Sequence, residues 1–298
     1  MSDELSFAFT LVVSGLAIGL MYSLIALGFV LVYKATDAIN FAQGEFVMLA
    51  GFVAAAVAGI EGASIYLAIA AAVGVMVAFG FALERVVLRP LLGRPIVAVI
   101  MATIGLGAIL RGLPPITVGA ETKALSLPIG DEPYSIGPAT LPPIQVLGVV
   151  VSLVFLAAFS WFFLKSRMGV AMRAVADNQQ VAMAMGINVQ RYFALAWAMA
   201  GVVSALGGVI WGSMLGVDTH LALVGLKVFP VVILGGLDSI VGAIVGGLIV
   251  GVVESIAAGY LDPYVGGGTK DFAPYVLMIA ALMFKPYGLF GQHKIERV

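Results

Sequence analysis

The chain has 298 residues, of which 62% are hydrophobic and 10% are charged, and its formal net charge is -1. Soluble domains usually carry about 25% charged residues, so this composition excludes a water-exposed exterior and favours a protein that crosses a lipid bilayer. The near-neutral charge argues against a nucleic-acid partner, and the absence of cysteine together with only two histidines excludes disulfides and the usual Cys and His metal sites.

Apolar residues fall into nine segments when they are measured against the roughly 20 residues that a helix needs to cross the hydrocarbon layer. The predicted fold is therefore an all-α, polytopic transmembrane bundle of about 8–10 spans that forms a single domain over 1–298. The second, seventh and ninth segments can be broken or re-entrant, because the second opens with polar residues and the other two are short. In chain order the predicted segments are 8–33, 39–60, 64–83, 95–110, 144–164, 192–215, 222–234, 240–259 and 272–284.

Two longer polar stretches interrupt the series. Residues 113–143 are rich in Pro and Gly and are predicted to form an external loop, whereas 165–191 collects Lys165, Arg167, Arg173 and Arg191. Lys and Arg are biased toward cytoplasmic loops, and nine crossings with an external N-terminus place the basic stretches and the C-terminus on one side. We therefore expect an external N-terminus and a cytoplasmic C-terminus.

The polar sequence INFAQGEF opens the second segment at residues 39–46. An ionised side chain inside a span costs about 2.5–3.5 kcal/mol on insertion scales, so Glu45 should face protein or water rather than lipid. Two interpretations stay open, and both can hold: Asn40 and Glu45 cap the start of a helix, or the stretch lines a path through the membrane. The candidate path residues here are Asn40, Phe41, Gln43, Gly44 and Glu45.

Glu254 and Lys227 are the other charges inside predicted spans. They can pair with each other or line a path, for which Glu254 is a candidate, and Lys227 can also extend to the membrane surface. Glycines at four-residue spacing in the sixth and eighth segments predict close helix packing, since no side chain separates the backbones; ligand contact through exposed backbone is the alternative. The packing candidates are Gly208, Gly212, Gly242 and Gly246.

Apolar side chains recur at helical spacing within 165–191, at Met168, Ala171, Met172, Val175 and Ala176. This pattern beside Arg167 and Arg173 predicts a short amphipathic helix, which can lie in the groove of a partner protein or rest on lipid headgroups. The chain lacks the G-x-x-x-x-G-K-[ST] phosphate loop, so we expect no ATP hydrolysis by this chain.

Three stretches, in order, resemble the permease subunits of bacterial ABC importers for branched-chain amino acids: GLAIGLMYSLIALGFVLVYKATDAINFAQGEFVMLAGF, SRMGVAMRAVADNQQVAMAMGINVQR and LGGLDSIVGAIVGGLIVGVVES. INFAQGEF is close to the INFAHGE-type motif of that family, with Gln43 where histidine is more common. GGLDSIVGA resembles its GG-x-GS-x-x-GA motif, with Asp238 where glycine is more usual. Both departures leave selectivity open, and permeases for urea and short amides share much of the pattern.

The resemblance implies a transport subunit, not an enzyme, in an ATP-driven importer for branched-chain or related hydrophobic amino acids in the bacterial inner membrane. The implied partners are a second homologous permease subunit, two cytoplasmic ATPase subunits that bind ATP and Mg, a periplasmic substrate-binding protein and membrane lipid. The family motif places no metal or organic cofactor in the permease.

The resemblance also implies roles for particular residues. Residues 165–191 would be the cytoplasmic coupling segment that docks into an ATPase subunit, and the turn that follows the seventh segment would line the central path. The implied coupling residues are Arg167, Met168, Gly169, Met172, Arg173, Asn178 and Gly186. The implied path residues are Gly235, Gly236 and Ser239.

An ion-coupled secondary transporter is the alternative function from a different class, with Glu45 and Glu254 as proton or sodium sites near broken helices. The basic stretch with its apolar stripe distinguishes the two, because an ATPase docking site needs such a segment and ion coupling does not. An ABC permease for urea or short amides is the other alternative.

Overall fold

A computed structural model describes residues 3–91, 94–119 and 121–291. The predicted all-α fold is confirmed, with one short antiparallel hairpin, β1 (Tyr134–Ile136) and β2 (Ala139–Leu141), inside the loop predicted at 113–143. The basic residues of the tail beyond Gly291 lie outside the described residues. The helices are α1 (Asp3–Thr36), α2 (Gln43–Ala58), α3 (Ile65–Leu83), α4 (Ile96–Thr117), α5 (Pro143–Lys165), α6 (Arg167–Asp177), α7 (Gln179–Ala184), α8 (Val189–Leu215), α9 (Leu223–Gly235), α10 (Ile240–Tyr260), α11 (Asp262–Val265) and α12 (Thr269–Phe284).

Each of the nine predicted apolar segments contains one helix in the described part of the chain. Six are long and apolar enough to cross a membrane, namely α1, α3 with its continuation to Leu91, α4, α5, α8 and α10. The other three, α2, α9 and α12, have 16, 13 and 16 residues. At about 1.5 Å per residue, none of these three alone covers the roughly 30 Å of hydrocarbon.

Helices α3, α4 and α5 present apolar side chains outward. Only 22%, 17% and 28% of the residues in their most apolar stretches are buried. A soluble protein does not expose apolar surface on this scale, so these faces suit lipid or another membrane subunit. The chain is a multi-pass membrane protein.

The chain folds into two compact units, each assembled from separate parts of the sequence. Unit 1 contains the described residues within 1–26, 129–155 and 226–298, and unit 2 contains those within 27–128 and 156–225. Three helices each contribute to both units, since the divisions fall inside α1, α5 and α9.

Glycines bring the helices of unit 2 into backbone contact. A Cβ built on Gly80 of α3 would lie 2.5 Å from the carbonyl oxygen of Trp197 in α8, and Gly208 of α8 faces the Val47 carbonyl of α2. Trp197 is fully buried and packs against Phe46, with ring centroids 6.1 Å apart. The core of unit 2 is therefore the packed set α2, α3 and α8.

Unit 1 uses the same packing device. Gly15 of α1 faces Gly251 of α10, and the Oγ of Ser23 donates to the Gly19 carbonyl at 2.8 Å and to the Ile244 carbonyl at 3.2 Å. Both contacts hold the first half of α1 against α10, because small side chains let the two backbones approach and the hydroxyl bridges them.

Asp262 ties the turn after α10 to the start of α12. Its carboxylate accepts hydrogen bonds from the Thr269 Oγ1 and from the Thr269 N–H at 2.8 Å. Both bonds hold the pKa of the Asp262 carboxyl below its ordinary value, and the bond from the Thr269 side chain has the larger effect. A lowered pKa means that the link stabilises the turn above the pKa of the unfolded chain and loses this contribution as the pH falls through the lowered value.

We expect the first turn of α12 to lose hydrogen-exchange protection as the pH is lowered through that titration, since protonation weakens the acceptor for Thr269. Asp262→Ala should show the reduced protection already at neutral pH, with a flatter pH dependence. The measurement is the protection factor of the Thr269 amide against pH. An identical pH profile in both proteins would contradict this role.

Candidate functional site

The polar stretch before α2 lies halfway along the long helices of unit 2. The Nε2 of Gln43 donates to Ser204 Oγ at 2.9 Å, and the Phe41 N–H donates to Thr103 Oγ1 at 3.3 Å. Ser204 is near the middle of α8, and Gly107, which faces the Glu45 carboxylate, is near the middle of α4. Helix α2 therefore begins inside the layer that α4 and α8 span, as a discontinuous helix rather than a full crossing.

The side chain of Asn40 stabilises the turn that leads into α2. Its Oδ1 accepts from the Ala42 N–H at 3.1 Å, and its Nδ2 donates to the Gln43 Oε1 at 3.1 Å. The N-cap residue of α2 is Ala42, whose side chain has no acceptor, so the expectation that Asn40 is the N-cap is corrected. The side chain of Asn40 instead stabilises the turn that precedes the helix.

Glu45 is 5% exposed in the first turn of α2, and its Oε1 accepts from the Nη2 of Arg111 in α4. Placing a carboxylate near the positive end of the helix dipole is favourable, and the arginine supplies the opposite charge. The sequence did not single out Arg111, which directly follows the fourth predicted segment, 95–110. The feature that could have revealed this pair is a single arginine after an apolar run, with a charge opposite to that of the acidic residue in INFAQGEF.

Most of the predicted path residues around this break are covered within unit 2. Asn40 and Gln43 are fully buried, and Gly44 lies against the Ala222 carbonyl and Gly225. Phe41 is 37% exposed. The exposed part of the cluster is thus formed by Phe41 and Arg111.

The predicted path residues of unit 1 form the turn between α9 and α10. Gly235 packs against Gly242, and Gly236 has φ +108°. The Oγ of Ser239 accepts from the Gly242 N–H at 2.9 Å and so caps α10. The Gly235 carbonyl accepts from the Phe290 N–H at 3.0 Å, which places the segment after α12 against this turn.

Lys227, Glu254 and Asp271 form a charged cluster in unit 1. The Nζ of Lys227 lies 3.3 Å from Glu254 Oε1 and 2.7 Å from Asp271 Oδ1. Of the options that the sequence left open, the structure shows pairing. The side chain of Glu254 is 8% exposed and that of Asp271 is 59% exposed, so the lysine connects a buried carboxylate to one at the surface.

The coupling segment predicted at 165–191 is two helices, α6 and α7, joined at Asn178. The Oδ1 of Asn178 accepts from the Val181 N–H at 3.0 Å and caps α7. Arg173 donates to the Phe163 carbonyl, and its Nη2 lies 3.3 Å from the Leu164 carbonyl. These are the last carbonyls of α5, so Arg173 fastens α6 to the end of that helix.

Two residues of the predicted apolar stripe of α6 are buried within unit 2. Met172 is 7% exposed and Val175 is 1% exposed, and Gly169 packs against the Phe162 and Phe163 carbonyls. Met168, from the same stripe, is exposed. Three of the predicted coupling residues, Arg167, Asn178 and Gly186, are exposed, and Gly186 has φ +81°. The segment also exposes five large apolar residues: Met168 at 42%, Val170 at 53%, Val181 at 57%, Met183 at 56% and Met185 at 77%.

Several helix ends and turns of unit 2 contact one another. Gln179 of α7 donates to the Ala35 carbonyl at the end of α1 at 3.4 Å. Gln179 also lines one cavity with Arg94 and with the π-helical turn Glu84–Leu88 that follows α3. Elsewhere in unit 2, the Lys123 and Val217 backbones exchange two hydrogen bonds of 2.9 Å, which tie the loop after α4 to the loop after α8.

The arrangement places polar and charged groups halfway along the long helices of unit 2, and it places the short helices α6 and α7 at the end of α5. Among the described residues, no three His, Cys, Asp or Glu side chains come together in a way that could hold a metal ion. The fold and the site define a multi-pass membrane protein that carries polar groups within its spans.

The family model described as "Branched-chain amino acid transport system / permease component" matches residues 11–282. The chain belongs to this family, as its three sequence motifs predicted.

Proteins similar to this chain over nearly its full length come from bacteria and an archaeon. The high-affinity branched-chain amino acid transport system permease protein LivH of Salmonella typhimurium is 32% identical, with 100% of each chain covered. The corresponding protein BraD of Pseudomonas aeruginosa is 32% identical over 96% of each chain. The probable branched-chain amino acid transport permease protein LivH of Methanocaldococcus jannaschii is 28% identical over 90% of this chain and 88% of that one.

Proposed function

We propose that this chain is the transmembrane permease subunit of an ATP-driven importer for branched-chain or related hydrophobic amino acids. The observation that carries the proposal is the end-to-end similarity to permease proteins whose names specify high-affinity branched-chain amino acid transport. On this proposal the subunit forms the translocation path together with a second permease subunit. Two ATPase subunits that bind ATP and Mg drive it from the cytoplasm, and a periplasmic binding protein delivers the amino acid.

The proposed location is the bacterial inner membrane, with the N-terminus outside and the C-terminus in the cytoplasm. Support comes from Lys34, from the arginines within 85–94 and from the basic residues of 165–191, because nine crossings with an external N-terminus would put all of them on the cytoplasmic side. Contacts within unit 2 bring the last turn of α1, the turn after α3 and α7 to the same end.

Ion coupling is not favoured by the geometry of the two buried carboxylates. Glu45 is paired with Arg111 and Glu254 with Lys227. A sodium ion or a proton would compete with a resident cation at either position, whereas an ATP-driven cycle needs no free carboxylate. The proposal therefore keeps Glu45 in the path but does not make it a coupling-ion site.

The decisive test is uptake by the reconstituted complex. The chain is coexpressed with the proposed partner subunits, purified, and placed in proteoliposomes that contain ATP and Mg, with leucine-loaded binding protein outside. We expect leucine accumulation that requires ATP and is unaffected when sodium and proton gradients are dissipated. Accumulation by this chain alone under an ion gradient, without nucleotide, would refute the proposal, and accumulation of urea or a short amide in place of leucine would change the substrate class.

Two exposed methionines, Met183 in α7 and Met185 directly after it, give a separate prediction about docking. In the proposed complex they pack against an ATPase subunit, so Met185→Glu should weaken ATPase copurification with the tagged permease by about tenfold or more, because a charged side chain would then be buried at the interface. Gln180→Glu places the same charge at an exposed polar position in α7 and serves as the control. Equal copurification of the two variants would rule out docking through Met185.

A further inference from the structure

We infer that Glu45 and Arg111 bind the charged head group of a zwitterionic α-amino acid inside the membrane, with Arg111 holding its carboxylate and Glu45 its ammonium group. This inference rests on the proposed function and names the chemistry by which the same path recognises its cargo. It adds Arg111, which the sequence did not single out, and gives it the role of a specificity-determining residue.

The first observation is the unequal burial of the two partners. The side chain of Glu45 is 6% exposed, whereas that of Arg111 is 52% exposed, although Arg111 follows a run of apolar residues in a helix long enough to span the membrane. Within the described residues the guanidinium has one ion-pair partner, Glu45. An arginine presents five N–H donors and is costly against lipid, so the remaining donors need an acceptor at this depth.

The second observation is the position of the carboxylate against α4. Gly107 has no side chain, and a Cβ built there would lie 3.3–3.5 Å from the Glu45 carboxyl atoms. Glycine thus lets the carboxylate lie close to the backbone at the middle of α4, about one turn before Arg111 on the same helix. Phe41, on the segment that leads into α2, is 37% exposed.

The third step is chemical. An amino acid carries one carboxylate and one ammonium group, and both need partners of opposite charge to enter a low-dielectric span. Arginine binds a carboxylate in a two-bond fork, so the carboxylate of the ligand can replace Glu45 on Arg111 while its ammonium takes the freed Glu45. The net charge of the site is the same with and without the ligand. In the empty site Glu45 and Arg111 pair with each other. A neutral amide has no pair of charges to exchange.

Two double variants of the complete reconstituted complex test the inference, with saturating leucine-loaded binding protein so that delivery is unchanged. Glu45→Arg with Arg111→Glu keeps an ion pair but exchanges its charges, and Glu45→Gln with Arg111→Gln keeps polar groups without charge. We expect both complexes to assemble and to retain ATP hydrolysis stimulated by the loaded binding protein. Leucine uptake should fall by about tenfold or more, since the neutral variant offers no charged partners and the exchanged variant offers them only to a head group bound in the reverse orientation.

A matched control is Glu84→Gln with Arg89→Gln. This pair also lies in unit 2 and joins a buried carboxylate, 2% exposed, to an arginine that is 38% exposed, at 2.9 Å. It lies at the end of α3 and not at the mid-span break. Neutralising it tests the general effect of removing a buried ion pair, and uptake should stay within about twofold of wild type.

Other outcomes overturn the inference. Wild-type uptake in either Glu45–Arg111 double variant would show that the pair only holds helices together, and parallel loss of uptake and stimulated hydrolysis would show a conformational role. Failure of both double variants to assemble would assign the pair to folding. Failure of the proposed function is distinguished by the wild-type complex, which would then show no ATP-dependent leucine uptake before any variant is compared.

Discussion

Replacement of Gly208 by leucine is expected to prevent the permease from folding as a stable protein. Gly208 lies where α8 crosses α2, and a Cβ at this position would sit 2.8 Å from the Gly51 nitrogen and 2.9 Å from the Ala50 Cβ. Overpacking a core against movable side chains costs about 1–3 kcal/mol, and backbone atoms of a packed helix yield less. We therefore expect a loss of about 3 kcal/mol or more in the free energy of unfolding.

The measurement is the monodisperse fraction and the thermal midpoint of the purified chain in detergent. Gly74→Leu is the matched control, since it is the same substitution within a helix, and among the described residues no atom lies within 4 Å of a Cβ built at Gly74. The control should behave like wild type. Leucine is also the better helix former, so helix propensity alone predicts no loss in either variant. Equal losses in both variants would show that the packing of α8 against α2 does not set the cost.

The number and order of helices follow from hydropathy, because a lipid-exposed helix must be apolar along its whole length. Hydropathy does not tell which helices pack against each other. The four-residue glycine spacing in the sixth segment marks one face of α8, yet Gly208 faces the backbone of α2 whereas Gly212 faces the Val217 side chain in the following loop. Spacing defines a face and cannot name the element that covers it.

The start of α2 and the end of α4 show that polar and charged residues make helix boundaries hard to predict from hydropathy. The second segment was predicted from 39, but the helix begins at Gln43, because Asn40 uses its side chain to hold a turn. The fourth was predicted to end at Leu110, but α4 continues to Thr117. Arg111 is tolerated within it since Glu45, 66 residues away in sequence, supplies the counter-charge. Such a pair becomes visible only when the two helices meet.

The segment 165–191 was predicted as helical from its periodicity, and helices α6 and α7 are present. Its buried face could not be assigned, because a stripe of Met172 and Val175 packs equally well on a partner or on the same chain. In the structure Met172 and Val175 are buried, whereas Met168 of the same stripe is exposed. Met183 and Met185, which the sequence did not single out, are also exposed.

Loss of the Lys227 charge is the second large effect. Lys227→Met removes the cation 3.3 Å from Glu254, a carboxylate whose side chain is 8% exposed, between α9 and α10. Leaving a buried charge without its partner costs about 3–5 kcal/mol, and we expect the lower end of that range because the lysine side chain is 27% exposed. The measurement is the free energy of unfolding in mixed micelles from a denaturant titration.

The second carboxylate of the cluster separates this cause from a general loss of charge. Asp271 lies closer to the lysine, at 2.7 Å, but it is 59% exposed, so water can solvate it and Asp271→Asn should cost no more than about 1 kcal/mol. Adding Glu254→Gln to Lys227→Met should restore most of the stability, because the buried site no longer holds an unpaired charge. A double variant as unstable as Lys227→Met would mean that the aliphatic chain of the lysine, and not its charge, supports the packing of α9 against α10.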